Sequence, residues 1–79
     1  MPWGFEFCEA FKRKAEMLKP YQKRQVKEKL DFISELPHPK DDGGPYLGQW
    51  AYVFCGGRGF LLCKISDEGG KTRFTDIIV

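Results

Sequence analysis

The sequence predicts an α+β protein, one domain over residues 1–79, in the order β-α-α-β-β-β. An antiparallel sheet is expected, with a helical hairpin on one of its faces. Three observations carry this. The first half changes from a two-residue to a 3.6-residue apolar period and is broken twice by proline. The second half is three apolar runs separated by glycine-rich turns. The length of 79 residues suits one domain.

The elements follow in order. Trp3, Phe5 and Phe7 alternate with Gly4 and Glu6, which predicts a short first strand. Phe7, Phe11, Ala15 and Leu18 then form a helical stripe, with Lys12, Arg13, Lys14 and Glu16 off it, so a helix is expected over about 9–18. Pro20 breaks this helix and suits the first turn of a second, where its missing N–H costs nothing. Val26, Leu30 and Ile33 make the second stripe, widened by Phe32 and Leu36. Pro37-His38-Pro39 ends it, because proline disfavours helical geometry in the residue before it. A joint this short folds the two helices into an antiparallel hairpin.

Residues 40–49 are rich in Gly, Pro and Asp and are expected to be a loop. Residues 50–55 are apolar on both faces, as for a central strand. Gly56-Gly57-Arg58-Gly59 is a hairpin turn, 60–65 a strand, 66–70 a second turn and 71–79 a last strand. Short turns make these strands antiparallel neighbours.

Seven Phe, three Tyr and two Trp can furnish a core without staples. The three cysteines, Cys8, Cys55 and Cys63, are odd in number and show no C-x-x-C spacing. They are expected to be small buried apolar groups in a reducing compartment. Only His38 could join them around a metal, short of a tetrahedral set, so no metal and no cofactor are expected. The N-terminus lacks a basic segment followed by an apolar one, and no apolar run nears the roughly 20 residues of a membrane span. A cytoplasmic location with no membrane contact is expected.

The formal net charge is +2 but uneven. Residues 1–40 hold nine Lys/Arg against six Asp/Glu, and residues 41–79 hold four against five. The predicted helices are thus the basic part. Such a face can meet an anionic partner, or it can be a solvated surface laced by i,i+4 pairs.

Several motifs are excluded. Gly70-Lys71-Thr72 imitates the end of a phosphate-binding loop, but position 65 is Ile and a strand follows where a helix is needed. A nucleophilic triad lacks the means, since the single His38 stands between two prolines with no serine or acid placed beside it by the sequence. Arg58 can present a cation from its turn to an anion, or simply be solvated.

The order of elements resembles the RelE/ParE family of bacterial toxins. The Phe5-x-Phe7 strand, the helix carrying Phe11 and Leu18, and Gln25-Val26-Lys27-Glu28-Lys29-Leu30 look like its opening. Pro45-Tyr46-Leu47-Gly48-Gln49-Trp50 is similar to the segment before the second strand, where YafQ-type members carry Leu-x-Gly-x-Trp. Residues 50–65 and the ending Phe74-Thr75-Asp76-Ile77-Ile78-Val79 complete the match. The resemblance implies the toxin of a type II toxin–antitoxin pair. Its partners would be a cognate antitoxin and the ribosome with its mRNA. Its activity would be translation inhibition by metal-independent mRNA cleavage, as an mRNA interferase.

That chemistry needs activation of a ribose 2′-OH, charge stabilisation on phosphate and protonation of a leaving oxygen. The candidates are Lys64, Arg73 and Arg58 for phosphate, with Tyr46 or His38 for proton transfer. Lys64 and Arg73 share one sheet face if their strands pair suitably; otherwise they are ordinary solvent-side residues. The chain departs from RelE-type members, which carry lysines where Ala51 and Val53 stand here, an arginine near Leu61 or Leu62, and a catalytic tail after the last strand. The alternative is a non-catalytic binder on the same scaffold: a ParE-like gyrase inhibitor, a degenerate toxin or a phage-derived regulator. A third expectation is a homodimer through the sheet or its C-terminal edge, should the Trp50-Tyr52-Phe54 face be left uncovered.

Overall fold

Prolines and period changes divide the chain where the sequence predicts. A computed structural model of the protein describes residues 4–79. Trp3, expected in the first strand, lies outside the described residues. β1 is Gly4–Phe7, α1 Glu9–Met17 and α2 Pro20–Ser34. α2 starts at Pro20, and the Gln22 side chain accepts the Lys19 backbone N–H at 2.9 Å, closing its first turn. β2 is Gly44–Tyr46, β3 Gln49–Phe54, β4 Gly59–Ser66 and β5 Lys71–Ile78.

The five strands form one sheet in the order β1-β5-β4-β3-β2. β1 is parallel to β5, and every other pair is antiparallel. Both helices pack on one face, α1 against β5 and α2 against β3. The core lies between, built by Phe11, Leu18, Val26 and Ile33 from the helices and Tyr52, Phe54, Leu61, Cys63, Phe74 and Ile77 from the sheet. Phe74 is its centre. Its fully buried ring lies 5.2–5.5 Å from those of Phe5, Phe7 and Phe11 and 6.3 Å from Tyr52.

Three expectations are corrected. Residues 40–49 are not wholly loop: Gly44–Tyr46 pairs with Gln49–Ala51 as the extra strand β2. The Leu47-Gly48 turn between them has φ of 44° and 79°, the left-handed pair whose twist matches a two-residue hairpin. The face bearing Trp50, Tyr52 and Phe54 is not an open patch, because the helices cover it; Tyr52 and Phe54 are buried. The last strand is not the sheet edge either. β5 lies between β1 and β4, so neither premise of the homodimer holds. Of the cysteines, Cys63 is buried in the core as expected, whereas Cys8 and Cys55 are half-exposed.

A β-bulge shapes the end of β5. Cys63 pairs with Phe74 but Leu62 pairs with Asp76, so Thr75 is the extra residue. Alternation from Phe74 would turn Asp76 into the core. The bulge resets the phase, burying Ile77 and leaving Asp76 at the surface beside Lys14 at 2.6 Å. No helix among the described residues is long and apolar enough to cross a membrane.

Candidate functional site on the outer sheet face

Alternation along the strands fixes which side chains face away from the helices. Leu61, Cys63, Thr72 and Phe74 point into the core, so Leu62, Lys64 and Arg73 point outward. Lys64 and Arg73 are direct cross-strand partners. Arg73 is also in register with Glu6 on β1. On the other side, Trp50 pairs with Cys63, which sets Gln49 beside Lys64, and Gln49 pairs with Tyr46.

One row therefore crosses all five strands: Glu6, Arg73, Lys64, Gln49, Tyr46. With strands about 4.8 Å apart it spans roughly 19 Å. A carboxylate, a guanidinium, an ammonium, an amide and a phenol follow one another along it.

Specific contacts hold the row. Arg73 Nε donates to Cys8 Sγ at 3.3 Å, and Glu6 lies 3.7 Å from Lys71. Neither Lys64 nor Arg73 enters an ion pair among the described residues, so both cations are available to an anion. The Thr75 hydroxyl at the bulge donates to the Gln49 side-chain amide oxygen Oε1, tying β5 to β3 across the outer face. Tyr46 stacks on Phe60, ring centroids 5.9 Å apart and planes 19° apart. Ala51 and Leu62, the outward pair between them, are buried. Tyr46, Gln49 and Lys64 line one open groove of about 700 Å³ that also takes in Lys40. Lys40 Nζ sits 5.7 Å from the Trp50 ring centroid, a cation–π contact.

The sequence-predicted residues thus separate into two sets. Lys64, Arg73 and Tyr46 share the row. Arg58 does not; it lies at the far end of β4, about 20 Å from Lys64 by strand rise, and lines a different groove with Tyr21 and Gln25. His38 is held as a structural tie. Its Nδ1 accepts the Lys40 backbone N–H at 3.0 Å, which leaves Nε2–H to donate to Asp67 at 2.8 Å. With both ring nitrogens engaged, His38 joins the segment after α2 to the β4–β5 turn and is not aimed at the row. Sequence reasoning missed Glu6, Gln49, Phe60 and Thr75. Phe60 alternates with Leu62 and Lys64, a legible signal; Glu6 and Thr75 depend on the parallel β1–β5 pairing and on the bulge.

Behind the row, Tyr52 donates to the Pro39 carbonyl at 2.6 Å. Burial pushes the Tyr52 phenol well above its ordinary range and the Cys63 thiol up to about 12. Both stay neutral and serve the core.

No protein-family model and no curated protein sequence matches the chain. Solved structures do. RelE in the intact E. coli RelBE toxin–antitoxin complex superposes with a TM-score of 0.78 over 96% of this chain and 94% of that one, at 16% identity. The fold is that of RelE. Isolated E. coli RelE gives a TM-score of 0.76 at 16% identity, covering 96% of this chain and 82% of RelE. A doubly substituted RelE in the free state gives 0.77 at 17%, covering 99% and 83%. The RelE scaffold is thus kept while about five residues in six differ, so the chemistry must be read from this chain's own side chains.

Proposed function

We propose that the chain is a RelE-like toxin that binds single-stranded RNA on its outer sheet face, cleaves ribosome-bound mRNA in the cytoplasm and is neutralised by an antitoxin. The register of Lys64 with Arg73 carries this reading: two cations without ion-pair partners stand side by side on the face opposite the helices. The stacked Tyr46–Phe60 pair on the same face supports it as a platform for a base. The RelE fold supports it further, as does RelE's occurrence in a toxin–antitoxin complex.

Lys64 and Arg73 would hold the scissile phosphate and oppose the charge that grows on it. In the reaction the ribose 2′-oxygen bonds to phosphorus, the bond to the 5′-oxygen breaks, and a 2′,3′-cyclic phosphate results. The 2′-OH proton goes to a base and the leaving oxygen receives one. Glu6, in register with Arg73, is the carboxylate able to take the first proton. Tyr46, at the other edge of the sheet and stacked on Phe60, holds a neighbouring base instead, so the leaving oxygen takes its proton from water.

Primer extension on mRNA from translating ribosomes tests the proposal. New 5′-ends are expected with wild type and not with Arg73→Ala. Intact mRNA at saturating protein would refute cleavage.

A second reading has its own support. Ala51 and Val53 stand on the outer face of β3, and the row Val53–Phe60–Ile78 is apolar, with Val53 44% exposed. An apolar half-face suits a non-catalytic protein-binding member of the fold. Growth arrest with intact mRNA would favour it.

A further inference from the structure

Arg58, which the outer row leaves out, belongs to a cleft of its own. The cleft holds about 430 Å³, a volume suited to a small molecule. Tyr21, Gln22 and Gln25 of α2 line one side, Cys55 and Arg58 of the β3–β4 connection the other, and Val79 closes one end. The connection explains why Arg58 is there. Phe60, Leu62 and Lys64 alternate outward along β4, and a continued alternation would send Arg58 outward with them. Instead Cys55, Gly56 and Gly57 have φ of 54°, 65° and 94°, and Arg58 is helical, at φ −88° and ψ −15°. The strand phase is lost, and Arg58 meets the side chains of α2. Cys55 adopts this left-handed geometry without being glycine, a strained backbone at the wall of the cleft.

The polar groups of the cleft are mostly donors. Arg58 enters none of the ion pairs among the described residues. Gln22 Oε1 already accepts the Lys19 backbone N–H at 2.9 Å, so what Gln22 can offer a ligand is its N–H groups. Gln25 adds a second amide and Tyr21 a phenol. No Asp or Glu lines the cleft, and the first turn of α2 holds no acid, so nothing local opposes the positive end of that helix. The half-exposed Tyr21 ring, Cys55 and Val79 supply apolar wall beside these donors.

We infer that this cleft binds a small organic monocarboxylate with an apolar body. The planar fork of Arg58 matches a carboxylate with two parallel hydrogen bonds. The amides and the phenol can hold its remaining lone pairs, and the body lies on the Tyr21 ring. One guanidinium balances one carboxylate, whereas a phosphomonoester brings close to two charges and would leave one unmatched. The cations of the outer row stand about 20 Å away along β4, too far to help. The inference goes beyond the proposed function and does not rest on RNA cleavage.

The probe is 3-phenylpropanoate, titrated into the isotope-labelled 79-residue chain and followed by amide chemical shifts. Saturable shifts are expected at residues 21–25 and 55–58. The neutral 3-phenylpropanamide, acetate without the aryl body, and the variant Arg58→Ala should each bind at least tenfold more weakly. Amides distant from residue 58 should keep their wild-type positions in Arg58→Ala, showing that it folds. Tyr21→Ala, which changes the wall and not the charge, should weaken 3-phenylpropanoate while leaving acetate unaffected. A Lys64→Ala/Arg73→Ala variant should bind 3-phenylpropanoate as wild type does, which separates this cleft from the RNA-binding face. The inference is overturned if the shifts do not saturate, if the neutral amide or acetate binds equally, if Arg58→Ala binds equally, or if inorganic phosphate or a single-stranded hexaribonucleotide displaces the probe.

Discussion

Removing the paired cations of the outer face should change how salt weakens RNA binding, and by a computable amount. Lys64 and Arg73 are exposed, in register and outside any ion pair among the described residues. Each can neutralise a phosphate of a bound single strand. Every such neutralisation adds about 0.7 to the steepness of log affinity against log salt. The double variant Lys64→Ala/Arg73→Ala should therefore have a slope shallower by about 1.4. Over a fourfold rise in salt, from about 50 to 200 mM, its disadvantage to wild type should shrink roughly sevenfold. Glu6 lies in the same row and opposes an incoming phosphate, so Glu6→Gln should tighten binding. Arg58→Ala, at the other end of β4, should leave the slope unchanged. Anisotropy of a labelled hexaribonucleotide across a salt series measures all four proteins. Equal slopes for wild type and the double variant, or a larger effect from Arg58→Ala, would show that RNA does not lie across this row.

Other consequences concern the scaffold beneath the row. Tyr52→Phe deletes the 2.6 Å bond to the carbonyl of the fully buried Pro39, and should cost about 1–3 kcal/mol in urea unfolding; a loss within error would mean water replaces the phenol. Thr72 is fully buried and its hydroxyl has no hydrogen-bond partner, so the near-isosteric Thr72→Val should raise stability by about 1 kcal/mol, and a lowered melting temperature would reveal a hidden partner. The hydrogen bond from Lys14, more than its charge, lowers the pKa of Asp76. A depressed folded-state value means its stabilisation is complete above the unfolded value, near 4, and fades as pH falls through the lower folded one. The pair is largely exposed, so it should contribute under about 1 kcal/mol. Asp76→Asn should flatten that part of the acid limb of the stability profile, and an identical acid limb would contradict the assignment.

The two sides of the sheet differ in how they were legible. The helix-facing side could be read directly, because Tyr52 and Phe54, Leu61 and Cys63, and the stripe of Phe11 and Leu18 obey the periods of their elements. The outer side was only half legible. Tyr46, Lys64 and Arg73 stand out as polar positions among apolar ones, but nothing local says that they meet. Arg58 and His38 offered suitable groups by residue type, but Arg58 stands just before the start of β4, six residues from Lys64 along an extended strand, and His38 is drawn away by its contact with Asp67.

The sequence by itself determined most of the elements: both helices and where they end, the first strand, and the last three strands with the turns between them. These are local properties, written in periodicity, proline and glycine within a few residues of their effect. Tertiary structure alone decided the parallel pairing of β1 with β5, the strand drawn from the glycine-rich segment at Gly44–Tyr46, and the bulge at Thr75. It also joined Lys14 to Asp76, and aligned Glu6, Arg73, Lys64, Gln49 and Tyr46 into one row. Each of these depends on register between segments distant in sequence. Register follows from how the whole core packs around Phe74, so no stretch of chain specifies it alone.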